Sequence, residues 1–334
     1  MIARARSRGT VRGEEIGIGR ELSRFARTFN TFLNRFLCLQ FRNPALRRQV
    51  FYGLRLSGTR ERAYFVKLSA ELCDIEWRRA LPLALAAECF IASAFTSDDI
   101  MDHAEMRWGN LAVWKRWGGE QAWLTAELLH GAGQIALDSV QPAVVASVMR
   151  NAFLSVIGGQ AAQISAERIC STREVVALAR KRTGVLIEVC FICPCLLSKS
   201  PLLKPLRTVG RNMGVAYQLA DDVLDFIGDP VQMRKPILHD LLNGQPNIVV
   251  AHALRGRPSR ERRLLGRWFG EGIQNHPVNV APIIEAAEKC GSITYGRKLV
   301  QLYLNRASKG LLELPNGKAT RSLQQFLNLS TILP

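Results

Sequence analysis

Residues 93 to 103 read Ser93-Ala-Phe-Thr-Ser-Asp-Asp-Ile-Met-Asp-His103, and residues 214 to 225 read Gly214-Val-Ala-Tyr-Gln-Leu-Ala-Asp-Asp-Val-Leu-Asp225. Each contains the same arrangement of three acids: Asp98, Asp99 and Asp102 in the first, Asp221, Asp222 and Asp225 in the second. On a helix the first and third acids of a set lie one turn apart, and the second lies three residues before the third. The spacing therefore predicts three carboxylates pointing the same way. Three like charges repel without a cation, and hard oxygen ligands of this kind suit Mg²⁺, which takes one or two carboxylates with waters and substrate phosphates. One cluster alone reads equally well as a solvated acidic face. Two at the same spacing read as two acidic walls facing across a helical bundle. Such walls hold several Mg²⁺ ions around one diphosphate and neutralise the charge that grows on it as a C–O bond breaks.

The sequence around the clusters supports the bundle. Helical apolar periodicity runs over about 76–106, 111–137, 139–167, 173–198 and 206–227, with breakers between at Gly109, Gly131 to Gly133, Pro201 to Pro205 and Gly228 to Pro230. Strand-type alternation bounded by hairpin turns is missing, so the fold class is all-α. No repeat or low-complexity linker divides the 334 residues, which suit one large helical domain over 26–334. Residues 1–25 read as a basic, disordered tail outside the packed core.

Hydrophobic residues make up 48% of the chain, which excludes disordered and collagen-like classes. Glu88, Asp98 and Arg182 interrupt the longest apolar runs, so no membrane span is expected. The net charge of +17 suits an anionic partner: nucleic acid, membrane surface or diphosphate. Its excess gathers in Arg4, Arg6, Arg8 and Arg12 and again in Arg255, Arg257, Arg260, Arg262, Arg263 and Arg267, and no nucleic-acid motif accompanies either group. The N-terminal group reads either as a basic tail of a cytoplasmic protein or as an organelle-targeting peptide. Eight scattered cysteines with no secretory signal favour a reduced intracellular setting, and Cys190, Cys193 and Cys195, in an apolar stretch without histidine, read as core thiols. No nucleophile with a base partner and no Gly-rich phosphate loop is evident near either acidic cluster.

Asp-Asp-Ile-Met-Asp at 98 to 102, and Gly214 to Asp225 followed by Phe-Ile-Gly-Asp-Pro, resemble the two aspartate-rich motifs of the trans-polyprenyl diphosphate synthases. The resemblance extends over roughly residues 50 to 255. Ser57-Gly-Thr-Arg-Glu-Arg62 resembles the family's Gly-Gly-Lys-Arg-x-Arg. Glu88, Ser93, Arg107, Gly159, Gln163, Arg182-Thr183, Gln218, Lys235 and Asp240 follow in order.

The resemblance implies the isoprenoid synthase bundle with a central cavity, a homodimer, and three Mg²⁺ ions held by Asp98, Asp99, Asp102, Asp221, Asp222 and Asp225. It implies diphosphate contacts from Arg107, Arg182, Lys235 and Arg62, and places Thr183 and Gln218 beside the allylic cation and its leaving group. The family's second substrate, isopentenyl diphosphate, is held by a Lys, an Arg, a His or Gln, and a second Arg. Those positions here read Thr59, Arg62, Ile91 and Trp108, so three of the four are gone: two cations and one hydrogen-bonding side chain are replaced, which weakens the hold on isopentenyl diphosphate. Retained ionisation with a weakened acceptor site resembles a class I terpene synthase that cyclises an allylic diphosphate of four or more isoprene units. The alternatives are a chain-elongating synthase, a prenyltransferase to another acceptor with Trp108 stacking on it, and a non-catalytic partner subunit, which complete aspartate clusters disfavour. Phe95, Trp108 and Tyr217 read as aromatic faces for cations or as core packing. Small Ser93 and Ala94, one turn before Asp98, predict a deep pocket with Phe90 as its floor.

Overall fold

The computed structural model describes residues 13–164, 170–230, 237–272, 275, 277 and 279–330. In chain order the helices are α1 (Gly13–Gln40), α2 (Pro44–Leu56), α3 (Glu61–Leu72) and α4 (Trp77–Met101). A two-residue-strand hairpin follows, β1 (Met106–Arg107) and β2 (Asn110–Leu111), then α5 (Val113–Trp117), α6 (Gly119–Leu137), α7 (Ala143–Ile164) and α8 (Thr172–Ala179). A π-helical turn, Arg180–Gly184, leads into α9 (Val185–Ser198) and α10 (Leu203–Ile227). The chain closes with α11 (His239–Leu242), α12 (Ile248–Leu254), α13 (Arg260–Trp268), α14 (Ala281–Lys289), α15 (Ser292–Leu311) and α16 (Lys318–Ser330). The all-α expectation holds, with the small hairpin as its one exception among the described residues.

Local chemistry sets the boundaries. Asn43 caps α2 by accepting from the Ala45 and Leu46 amides, with Pro44 at the first helical position. Ser171 and Glu174 form a reciprocal capping box at α8. The apolar face of α4 runs along α6, and α10 lies against α9 and α15. Helix α4 is long and apolar enough to cross a membrane, but 78% of its apolar window is buried inside the molecule. It is the core helix of the bundle.

The N-terminal boundary needs correction. Helix α1 starts at Gly13, and Ile18, Leu22, Phe29, Leu33 and Leu37 form a buried stripe at helical spacing, with Phe25 against Tyr64 at 5.1 Å and Trp77 at 5.9 Å. From Ile18 onward this segment therefore belongs to the packed domain. Dense charge, with Arg20, Glu21, Arg24 and Arg27 between the apolar positions, hid the period; residues 1–12 lie outside the described residues. Cys190, Cys193 and Cys195 are core thiols as expected.

Candidate active site

The ends of α4 and α10 bring both aspartate clusters to one cavity of about 570 Å³. Asp98 and Asp102 line one wall, and Asp221, Asp222 and Asp225 line the other, joined by Asp240. Asp99 is the exception to the expectation that three carboxylates point alike. At 100° per residue it stands a quarter turn from Asp98, and it is buried off the cavity wall, where it accepts from Arg107 Nε and from an Arg107 terminal nitrogen at 2.7–3.0 Å. Burial alone would lower the Arg107 pKa, but the Asp99 carboxylate raises it above its ordinary value. Asp99 thus fixes Arg107, and Arg107 faces the cavity.

The wall carboxylates are held by glutamine side chains and backbone amides, with one cation, Arg182, at Asp98. Gln160 donates to Asp98, and Arg182 reaches the other Asp98 oxygen at 3.5 Å. Gln245 donates to Asp102 at 2.7 Å. Asp222 accepts from Gln218 Nε2 at 3.1 Å and from the Ile248 amide at 2.9 Å. Asp225 accepts from the His239 and Asp240 amides at 3.1 and 3.0 Å, anchoring the start of α11. Burial, with Asp98 beside it, raises the Asp102 carboxyl, and burial followed by the Asp240 charge pushes Asp222 up to about 8. Among the described residues no three His, Cys, Asp or Glu side chains converge into a ready-made cage. Two crowded acidic walls without such a cage fit Mg²⁺, which shares carboxylates with waters and phosphate oxygens.

Arg182 and Thr183 come from the π turn, a local widening that turns side chains toward the site. Two glycines make room for it. A side chain at Gly159 would meet Arg182 Cγ at 2.8 Å, and one at Gly214 would meet Gly184 Cα at 2.7 Å and the Thr183 carbonyl oxygen at 2.9 Å. That close approach lets the Thr183 hydroxyl donate to Gln218 Oε1 at 2.8 Å, completing a chain from Thr183 through Gln218 to Asp222. Gln163 accepts from Arg182 on the same wall.

The third side of the cavity carries Arg55, Thr59, Glu61, Arg62, Ile91, Phe95 and Trp108. Trp108 and Gly109 form the two-residue hairpin loop with φ of 53° and 74°, the positive-φ pair of a type I′ turn, which presents the indole to the cavity. Phe95 lies 4.4 Å from the Arg107 guanidinium and 5.8 Å from that of Arg62. Arg62 Nε is buried without a hydrogen-bond partner among the described residues. Arg60 instead is structural: it adopts φ 67° and bonds Leu54, Ser57, Asn30 and Glu88.

The pocket floor differs from expectation. Ile91, Ala94 and Tyr217 line the cavity with Val156, Leu186 and Ile187, whereas Ser93 and Phe90 do not. Phe90 stacks on Phe153 at 4.7 Å and packs against Gly133. Counting about 100° per residue, Ile91 is roughly 20° from Asp98 around the helix, Phe90 about 80° and Ser93 about 140°. Arg55, Gln160 and Gln245 carry no motif, and Glu61 stands at the variable position of the Ser57–Arg62 element; only the fold brings them here. Lys235 lies outside the described residues.

The polyprenyl synthetase family model matches residues 43–284. A geranylgeranyl diphosphate synthase of Saccharolobus solfataricus is 27% identical over 294 residues, spanning 83% of this chain and 87% of that enzyme. Heptaprenyl diphosphate synthase component 2 of Bacillus subtilis is 25% identical over 84% of this chain and 80% of its own length. The crystal structure of geranylgeranyl pyrophosphate synthetase from Pyrococcus horikoshii superposes with a TM-score of 0.87 and 25% identity, covering 96% of this chain and all of that one (100%).

Proposed function

This chain belongs to the polyprenyl synthetase family, and on that premise we propose that it is a Mg²⁺-dependent prenyltransferase that lengthens an allylic prenyl diphosphate. One observation carries the reading: five of the six cluster aspartates, Arg107, Arg182 and the Thr183–Gln218–Asp222 chain line a single cavity. Asp98, Asp102, Asp221, Asp222 and Asp225 would hold Mg²⁺, with Asp99 acting through Arg107. When bound, Mg²⁺ supplies positive charge to the departing diphosphate.

Arg182 and Arg107 bind and orient the diphosphate as planar, permanently charged donors. The C1–O bond breaks with its electron pair going to diphosphate, and the allylic cation is left between Thr183, Gln218 and the faces of Tyr217 and Phe95. The alkene of a second substrate attacks C1, a C–C bond forms, and a proton leaves the resulting cation. The low-polarity floor of Ile91, Ala94, Val156, Leu186 and Ile187 takes the growing tail and excludes water.

Thr59, Ile91 and Trp108 on the acceptor side favour a second reading, in which the cation is attacked by the substrate's own double bonds and cyclises. One incubation separates the two. Purified protein, Mg²⁺ and prenyl diphosphates of increasing length are combined with and without isopentenyl diphosphate. Longer diphosphates that form only with isopentenyl diphosphate support elongation. Hydrocarbons formed without it support cyclisation.

We also infer a homodimer. Exposed Trp123 and Leu124 on α6 and Val144, Leu154 and Ile157 on α7 make an apolar surface that a second copy of the chain would cover.

A further inference from the structure

Helices α3 and α9 begin at the cavity and run away from it side by side. Arg62 lies in the first turn of α3, Leu186 and Ile187 in the first turn of α9, and all three line the cavity. Further along, Phe65 stacks on Phe191 at 5.2 Å and the Ser69 hydroxyl donates to the Phe191 carbonyl oxygen at 2.5 Å. At the far end, one residue past α3, the Cys73 sulfur lies 2.8 Å from the sulfur of Cys195 in the last turn of α9. Two thiols that close are within bonding reach after a small side-chain movement, and they join residues 122 apart in sequence.

The pair is chemically asymmetric. The contact with Cys195 lowers the Cys73 thiol, with Ser200 and Ser69 adding to the effect, whereas the same contact and burial push Cys195 up. Cys73 retains 6% exposure and Cys195 1%. Cys73, the more exposed of the two sulfurs and the one whose thiol is lowered, is the one a small oxidant meets first. Burial pushes the core thiols Cys89 and Cys190 up to about 12 and raises Cys193 as well, which leaves them unreactive.

We propose that Cys73 and Cys195 form an oxidation site that closes reversibly into a disulfide when the protein meets hydrogen peroxide. The Cys73 thiolate attacks one peroxide oxygen, the O–O bond breaks, and hydroxide leaves a sulfenic acid. The Cys195 sulfur then attacks that sulfur, the S–O bond breaks, and water departs with the Cys195 proton. Two thiols are oxidised by two electrons and one peroxide is reduced to two waters. The link staples α3 to α9 about 15 Å from the cavity, at roughly 1.5 Å per residue of helix, so it restrains the unfolded chain without touching substrate.

The full-length protein is treated with hydrogen peroxide, alkylated under denaturing conditions and digested without reductant. The expected product is an intramolecular Cys73–Cys195 peptide pair two hydrogens lighter than the reduced peptides, restored by dithiothreitol. The oxidised protein should gain about 5 °C or more in Tm, keep its prenyl-transfer rate within about two-fold, and lose the Tm gain in Cys73→Ser. Eight fully alkylated thiols, oxidation confined to exposed Cys38, a cross-link between other cysteines, or sulfinic acid at Cys73 with Cys195 free would each overturn the proposal. The mass measurement is made on the wild-type chain, so a poorly folding variant does not blur the result.

Discussion

At the residue scale, the site depends on carboxylates whose charge is costly in the folded state. Asp222, pushed up to about 8 by burial and Asp240, keeps a proton between roughly pH 4 and 8 that its unfolded counterpart has released. The folded state binds more protons in that window, so stability falls as pH rises through it. Without Mg²⁺, Tm should drop between about pH 5 and pH 8, and added Mg²⁺ should raise Tm more at the higher pH, by a few degrees. Scanning fluorimetry with and without chelator checks this, and an unchanged pH slope in Asp222→Asn would assign the effect to other groups. Asp98→Ala or Asp222→Ala should lower kcat by about 10³-fold or more, because each removes a ligand that stabilises the departing diphosphate. Full turnover in either variant would sink the assignment. On the acceptor side, Thr59→Lys, Ile91→His and Trp108→Arg together should tighten isopentenyl diphosphate binding by at least ~10-fold in calorimetry. Each change alone should do less, since the three act on one ligand. Tight binding by wild type would show that Arg55 and Arg62 suffice.

At the scale of elements, the sequence announced the helices that carry motifs and hid those that only support them. The doubled aspartate spacing placed the ends of α4 and α10 and their meeting, because chemistry demanded both walls. It did not tell which side of α4 Asp99 takes, a choice made by Arg107 reaching back from the hairpin. Helix α1 was hidden by charges around a regular apolar stripe, and the cavity's Gln160 and Gln245 have no pattern to find. Phe90 was misread because eight residues before Asp98 is close to, but not on, its line along the helix. Ile91, seven before, is the residue on the floor. Ala94→Phe should therefore shift preference to a shorter allylic diphosphate by filling the space beneath Asp98, measured as a change of at least about five-fold in relative kcat/KM for geranyl over geranylgeranyl diphosphate. Phe90→Leu should cost stability, about 1 kcal/mol or more from lost packing, and leave length preference alone. If Ala94→Phe folds and leaves length preference unchanged, the floor lies on α7 or α9.

At the scale of the whole molecule, the inferred dimer and the chemistry would meet on one helix. The inner face of α7 supplies Val156, Gln160 and Gln163 to the cavity, and through them holds Asp98 and Arg182. Away from the cavity α7 leaves Leu154 at 64% exposure and Ile157 at 38%; Val144 near its start is 61% exposed, and Trp123 on α6 is 59% exposed. Isolated exposed apolar side chains are ordinary, but several large ones on α6 and α7 are what a second copy of the chain would cover. Covering them with a second copy would clamp α7 from outside while substrate contacts load it from inside. Leu154→Asp should then convert a dimer to a monomer in analytical ultracentrifugation, because a charge buried in a self-complementary interface is uncompensated in both copies. Turnover should fall about ten-fold or more in the same variant, as Gln160 and Gln163 lose their fixed placement. Both effects should lessen as protein concentration rises, since mass action restores the pair. A wild-type chain that sediments as a monomer at micromolar concentration would refute the dimer. A Leu154→Asp protein that dissociates yet keeps full turnover would show that the cavity is complete within one chain and that α7 needs no support from outside.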